Sequence, residues 1–407
     1  MLRIIHTADW HIGKNLHKVP MQDELRAFFD WLIKTIIERD IQLLLVSGDI
    51  FDYANPSAED RKMYFHFLKR LIDTDTKIII TGGNHDSAGF LNAPKEILGA
   101  LDISVIGEAT ENMEDEIIEV FDAEGSLNLV VAAVPFLKDK DLRHRDQRHQ
   151  YNNRTDEIRA GIARHYEQLG IICAEKYAEV PCIAMGHLYA IGADPSDSER
   201  DIHMGNEAAV DSAIFPEVFD YVALGHIHRP QIIGKNEYIR YSGSPIALSF
   251  SEKKDLKSVV LFEVSDKAIT EPQVIAVPKR RALIRITGSF EEVNRELNDF
   301  ESSHPLPAFI EVILKEPSFS SMIISKWEEA KQEFQENPYF KIIRDKIEFK
   351  KGAKDISELF EPSVSIEELT PIEVFNKKIE AEELDAKQQT ILRNAFTELL
   401  EMMNDED

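Results

Sequence analysis

Five short apolar runs in this chain end alike, in a glycine or small residue followed at once by Asp, Asn or His, and that punctuation limits the folds open to it. They are Ile4-Ile5-His6-Thr7-Ala8-Asp9-Trp10-His11, Leu43 to Val46 before Ser47-Gly48-Asp49, Ile78 to Ile80 before Gly82-Gly83-Asn84-His85-Asp86, Ile183-Ala184-Met185-Gly186-His187, and Val222-Ala223-Leu224-Gly225-His226-Ile227-His228. Short apolar runs bounded by Gly read as buried strands, and side chains set just past the carboxyl ends of parallel strands converge in one crevice. His11, His85, His187, His226 and His228, five of the chain's 13 histidines, stand at those ends, so a polynuclear metal site is expected.

Between the first runs the apolar period turns helical. Leu25, Phe28, Phe29, Leu32, Ile33, Ile36 and Ile37 predict a helix from about Gln22 to Arg39, and Ser57 is placed to cap a second, carrying Tyr64, Phe65, Phe67, Leu68 and Leu71. Alternation of strand and helix implies parallel pairing through right-handed crossovers. From Leu127 onward a second set of strands is expected, at Leu127 to Val134, Ile183 to Met185, Tyr221 to Leu224, Gln231 to Ile233, Tyr238 to Tyr241 and Ser258 to Val264, with one long helix from Thr155 to Ala178. Two strand sets with helices outside make a layered α/β sandwich.

A chain of 407 residues exceeds one typical core. Composition shifts at Pro278-Lys279-Arg280-Arg281, and residues 278–352 read as a small α/β unit, strand-helix-strand-helix-strand, after a first domain of residues 1–277. In the tail, residues 353–407, Thr370-Pro371-Ile372-Glu373 is a helix start. A last helix gathers Leu392, Ala395, Phe396, Leu399, Leu400 and Met403 on one face, too apolar to stand alone in water.

Composition excludes several classes. No 18-residue apolar stretch is present to span a bilayer, and Met1-Leu2-Arg3 enters a strand without the zones of a signal peptide, so a cytoplasmic protein is expected. Cys173 and Cys182, the only cysteines, form neither a disulfide framework nor a thiolate zinc site and read as packing residues. Neither Gly13-Lys14-Asn15 nor Gly234-Lys235-Asn236 is a P-loop, which argues against ATP hydrolysis by this chain. A net charge of −26 opposes nucleic-acid binding by bulk electrostatics, so a polyanion would need local cations, metals or a partner.

In an extended segment residues i and i+2 point the same way, so Asp9 with His11, and His226 with His228, are each placed to grip one ion. Asp49 offers two oxygens to bridge ions, Asn84 a neutral carbonyl and His187 an imidazole. Mixed oxygen and nitrogen donors without sulfur suit Mn²⁺, Fe or Zn²⁺. Two such cations would activate water and stabilise charge on phosphorus, so phosphoester hydrolysis is the expected reaction. His85, unligated, would stabilise the transition state or protonate the departing oxygen, and Asp86 would either orient that imidazole, the favoured reading, or cap the next turn.

Asp9-X-His11, Gly48-Asp49, Gly83-Asn84-His85-Asp86, Gly186-His187 and Gly225-His226-X-His228 resemble, in order and spacing, the calcineurin-like metallophosphoesterases. Within them, His6 to Gly13, Gly48-Asp49-Ile50-Phe51-Asp52, Ser198-Glu199-Arg200-Asp201-Ile202 and Gly225 to Arg229 through Tyr241-Ser242-Gly243-Ser244-Pro245 are similar to the SbcD family of bacterial nuclease subunits. The resemblance implies a four-layer α-β-β-α sandwich with a small capping domain and a C-terminal helical pair. It implies two Mn²⁺ ions, one held by Asp9, His11, Asp49 and His228, the other by Asp49, Asn84, His187 and His226. Archaeal and eukaryotic relatives carry a second histidine where this chain has Asp52, and the arginine with which related phosphatases grip monoesters is missing after it.

The activity so implied is cleavage of DNA phosphodiesters, exonucleolytic at duplex ends and endonucleolytic at hairpins or single strands, in DNA recombination, repair or replication. The implied partner is an SbcC-type coiled-coil ATPase, docked by the C-terminal helices on a nuclease homodimer within a heterotetramer at the nucleoid. Candidate phosphate contacts are Lys138, Lys140, Arg143, His144, Arg145, Arg148, His149 and Arg154, and Lys279 to Arg281. The competing readings are a small-molecule phosphodiesterase or phosphatase of the same fold, and a non-catalytic scaffold for DNA ends.

Overall fold

Period-two alternation along the strands sorts side chains between separate cores in this computed structural model, which describes residues 1–122, 124–142, 153–200, 202, 208–351, 371–381, 389–390 and 392–397. The first of two compact units comprises Met1–Ile284 and Ser302–Phe309. It opens with β1 (Leu2–Thr7), α1 (Gln22–Glu38), β2 (Leu43–Ser47), α2 (Ala58–Ile72), β3 (Lys77–Thr81) and β4 (Ile103–Ile106). Then come β5 (Ile117–Phe121), β6 (Leu127–Ala133), α3 (Arg154–Lys176), β7 (Cys182–His187), β8 (Tyr221–Gly225), β9 (Gln231–Ile233), β10 (Asn236–Tyr241), β11 (Ser258–Ser265), β12 (Ala268–Ile269) and β13 (Gln273–Ala276).

One sheet runs β12-β11-β1-β2-β3-β4, with β13 also on β11, and the other runs β9-β10-β8-β7-β6-β5. β1 to β4 pair in parallel, as do β10, β8, β7 and β6, with antiparallel β5 and β9 at the second sheet's edges. Ile4, Leu43, Leu45 and Ile79 face Val131, Ile183, Met185 and Tyr221 in the core between the sheets. Their neighbours Ile5, Leu44, Val46 and Ile78 turn outward under Leu25, Phe28 and Leu32 of α1 and Phe67 and Leu68 of α2. Ile158, Ile162, Tyr166 and Leu169 of α3 cover the outer face of the second sheet. The four layers are therefore α-β-β-α, as expected. Ser57 caps α2 by accepting from Asp60 N, while the Asp60 carboxylate accepts from Ser57 N.

One expectation needs correction. The run at Ser258 belongs to the first sheet, because β11 pairs antiparallel with β1, setting Phe262 opposite Ile4. An apolar run carries no mark of which sheet will take it. Strands β4 and β5 are additions to the expected set; each is short and partly exposed, and the second is interrupted by Glu119, so neither stands out as an apolar run.

The second unit comprises Arg285–Glu301 and Ile310–Asp407. Strands β14 (Leu283–Gly288), β15 (Ala308–Ser318) and β16 (Phe340–Lys351) form its sheet, in that order, with helices α4 (Phe290–Asn298), α5 (Ser321–Glu333) and α6 (Pro371–Ala381). Trp327 is fully buried and its indole N–H donates to Asp345 at 2.8 Å. In the tail, the rings of Phe375 and Phe396 stack at 3.8 Å, while Leu392 and Ala395 stay exposed. Thr370, Leu399, Leu400 and Met403 lie outside the described residues. Among the described residues no helix is long and apolar enough to cross a membrane.

The sheets approach so closely at Gly225 that a Cβ there would stand 1.8 Å from Ser47 O. Gly225→Ala is therefore expected to cost about 3 kcal/mol, the upper end of overpacking, read as a lower denaturant midpoint. An unchanged midpoint would contradict this packing.

Candidate metal centre

The loops past β1 and β2 zip together beyond the strand ends. Asp9 N donates to Gly48 O at 3.1 Å, His11 N to Asp49 O at 3.0 Å and Ile12 N to Ile50 O at 2.9 Å. Asp9 (φ 54), His11 (φ 48), Asp49 (φ 50) and His226 (φ 104) all have positive φ, a region that non-glycine residues rarely visit and that clusters at functional sites. The extended i, i+2 geometry assumed from sequence is thus not how Asp9 and His11 meet. Between them Trp10 points away, into the core under α1, and donates to Thr7 Oγ1 at 3.1 Å.

These turns gather Asp9, His11, Asp49, Asn84, His85, His187, His226 and His228. Asp49 Oδ2 stands between the two halves, 3.5 Å from His11 Nε2, 3.4 Å from His187 Nε2 and 3.8 Å from His85 Nε2. On one side Asp9, His11 and His228 bring ligand atoms within 4.8 Å of one another, and His11 Nε2 lies 3.0 Å from His228 Nε2. On the other, Asn84 Oδ1 lies 2.9 Å from His187 Nε2 and 3.2 Å from His226 Nδ1. His226 and His228 therefore do not share one position, against the reading from their spacing; they face opposite halves.

The donors fit divalent cations. His11 Nδ1 donates to Asp52 Oδ1 at 3.1 Å and His187 Nδ1 to Ser47 O at 3.0 Å, which leaves each Nε2 lone pair facing inward. His228 Nδ1 donates to Ser198 Oγ at 2.6 Å; Ser198 in turn donates to Glu252, whose other oxygen accepts from Lys257 Nζ at 2.5 Å. Asp9 Oδ2 and His226 Nε2 are buried without a hydrogen-bond partner among the described residues, which a cation would relieve.

The charges point the same way. Burial, with the negative charge of Asp49 adding to it, raises the Asp9 carboxyl to about 7. Burial opposes the Asp49 charge too, but His187, His85 and His11 outweigh it and hold that carboxyl well below its usual range. Burial lowers His11 to about 4, whereas at His187 burial is outweighed by Asp49 and Asp9, and the imidazole rises to about 9.

His85 has contacts of its own: N donates to Asp49 Oδ1 and Nδ1 to Asp52 O, both at 2.9 Å, which puts the ring proton on Nδ1, and His11, Asp52 and His85 also bring ligand atoms within 4.8 Å of one another. Asp86 does not touch that ring. It accepts instead from Gly83 N (2.9 Å), Ile50 N (3.1 Å) and Phe51 N (2.9 Å), stapling two loops together. Asp52 orients His11 and accepts from Lys14 Nζ at 3.3 Å. Sequence reasoning missed Glu252 and Lys257, which carry no motif, while Ser198 lay in one to which no role was assigned.

Most of the described members of the basic clusters have partners of their own. Lys138 and Lys140 pair with Glu108 at 3.5 and 3.2 Å, Arg154 with Asp139, and Arg281 with Glu24, while Lys279 donates to Lys253 O at 3.1 Å. Arg143, His144, Arg145, Arg148 and His149 lie outside the described residues.

The family model described as calcineurin-like phosphoesterase matches residues 2–230, and one described as type 5 capsule protein repressor C-terminal domain matches residues 279–383. The chain is 30% identical over 402 residues to the SbcD subunit of nuclease SbcCD from Escherichia coli (strain K12), covering 98% of each. It is 33% identical over 296 residues to the protein of that name from Rhodobacter capsulatus, covering 70% of this chain and 71% of that one. To the Bacillus subtilis protein of that name it is 31% identical over 287 residues, 70% of this chain and 72% of the other. With a matching family model over the crevice and a relative aligned nearly end to end, the chain belongs to the calcineurin-like phosphoesterases and, within them, to the family of SbcD subunits of nuclease SbcCD.

Proposed function

We propose that the chain is the nuclease subunit of a DNA-processing complex, hydrolysing DNA phosphodiesters at duplex ends and at hairpins with two Mn²⁺ ions. The observation that carries this reading is Asp49 Oδ2 standing between two half-sites of inward-facing nitrogens and oxygens. Asp9, His11, Asp49 and His228 would hold one ion, and Asp49, Asn84, His187 and His226 the other. Bound there, divalent cations supply positive charge against the phosphoryl oxygens and the acidity that makes water a nucleophile near neutral pH.

The chain's own residues do the rest. Asp52 O fixes His85 through Nδ1, so any proton His85 exchanges moves at Nε2, the nitrogen on the Asp49 side. Burial lowers the pKa of that imidazole below its ordinary value, so His85 would stabilise the transition state from Nε2 or, once it has acquired a proton there, donate it to the departing oxygen. Ser198, Glu252 and Lys257 keep the proton of His228 on Nδ1 and its Nε2 directed inward. The partner would be an SbcC-type ATPase, and the exposed Leu392 and Ala395 beside the Phe375–Phe396 stack fit docking of the tail on its coiled coil. A nuclease homodimer within a heterotetramer, in the cytoplasm at the nucleoid, completes the reading.

With Mn²⁺ and labelled duplex or hairpin DNA, His85→Ala is expected to lose about 100-fold or more of the cleavage rate while retaining its manganese, measured by mass spectrometry on the same sample. Full cleavage by that variant would remove His85 from the mechanism, and absence of wild-type cleavage would contradict the nuclease reading. Metal binding itself should depend on pH. At pH 7 His187 carries a proton, since it titrates at about 9, and Asp9, at about 7, carries about half of one. Both must leave for the nitrogen and oxygen to ligate, so Mn²⁺ affinity should fall by about tenfold or more per unit between pH 8 and pH 6. Calorimetry in buffers of different ionisation enthalpy reads the released protons, and a pH-independent affinity would contradict this charge state.

A further inference from the structure

The segment Ser196 to Arg200 has one end locked and the other exposed. Glu199 Oε1 accepts from His228 N at 2.8 Å, and Ser198 sits in the chain from His228 to Glu252 and Lys257, two residues with little or no solvent exposure. Arg200, next in sequence, is exposed at the rim. Its Nη2 donates to Asp52 O at 3.2 Å, and its guanidinium lies 5.6 Å from the centre of the Tyr53 ring. Asp52 O is also the acceptor for His85 Nδ1, at 2.9 Å, so the guanidinium and that imidazole meet at one carbonyl.

Among the described residues no carboxylate lies within ion-pair distance of Arg200, in contrast to Lys14, which pairs with Asp52 at 3.3 Å, and to the paired cations of the two basic clusters. One of its five N–H donors is used on Asp52 O, leaving a planar, permanently charged fork whose spacing matches phosphate oxygens. In a chain of net charge −26, a cation beside the crevice with no carboxylate partner among the described residues is available to a polyanion.

We propose that Arg200 grips a backbone phosphate of the substrate strand flanking the one being hydrolysed, held in position by Ser198, Glu199 and Tyr53. This rests on the nuclease reading above. A scissile phosphate would be met by cations held around Asp49, toward His85 Nε2; a guanidinium that shares Asp52 O with His85 Nδ1 is placed for a neighbouring phosphate of the same strand.

The test uses the full chain and its Arg200→Gln and Arg200→Lys variants. Three readouts are taken: binding of labelled DNA in EDTA by fluorescence anisotropy over a salt series, KM and kcat with Mn²⁺ on DNA and on bis(p-nitrophenyl) phosphate, and manganese content. Arg200→Gln is expected to weaken DNA binding by about tenfold and to reduce the salt slope by about 1. It should raise KM on DNA far more than on the small diester, which has no second phosphate, and should keep its manganese; Arg200→Lys should recover part of the loss. Wild-type affinity and slope in Arg200→Gln would overturn the inference alone. Equal proportional losses on both substrates would also overturn it, placing Arg200 in the hydrolytic site. A wild-type chain that hydrolyses the small diester but neither binds nor cuts DNA would overturn the nuclease reading, and the inference with it.

Discussion

A buried carboxylate among imidazoles governs this structure. Asp49 can put one oxygen 3.4 Å from His187 and 3.5 Å from His11 only because the chain turns left-handed at Gly48 and Asp49, directly past β2. Its other oxygen is taken by His85 N, and Gly83 makes room, since a Cβ there would stand 2.1 Å from Asp49 Oδ1. Four loops from two sheets thus meet at one side chain. Their convergence explains why the strands stop where they do.

Around Asp49, support comes from groups outside the proposed ligand set. Asp52 and Ser47 O each take one imidazole N–H, and Ser198 takes the third, so the inward nitrogens are free of protons unless the metal-free charge balance puts one back, as at His187. Among the described residues the centre holds a carboxyl raised by burial, and leaves Asp9 Oδ2 and His226 Nε2 without a hydrogen-bond partner. Buried polar groups left in that condition cost about 1–3 kcal/mol each. Cation binding is the simplest way for this arrangement to recover that cost.

Much of this was legible in the sequence, because strand-end punctuation is local. Gly48-Asp49 and Gly83-Asn84-His85 name their own turns, and the helical periods of α1 and α2 announced the outer layers. What stayed hidden is set by partners distant in sequence. The placement of β11 beside β1 depends on which edge is open, and nothing in Ser258 to Val264 says so. The i, i+2 argument set Asp9 beside His11, where the fold also brings them, but on a wrong premise of extended backbone, and the same premise failed for His226 and His228. Asp86 read as an aid to His85 because it is adjacent in sequence, but in space its carboxylate faces the backbone of Ile50 and Phe51. Lys257 and Glu252 are ordinary surface letters on paper and a buried ion pair in the fold.

The basic clusters give a further contrast between composition and geometry. Lys138, Lys140, Arg154 and Arg281 are engaged by carboxylates, so counting cations overstates what a polyanion would find. The direct measurement is the manganese content of the metal-saturated chain beside that of Asp49→Asn, with anomalous diffraction locating each ion. The account predicts two ions per chain on either side of Asp49 and loss of at least one in the variant. A single ion in the wild type, or two retained in Asp49→Asn, would contradict it.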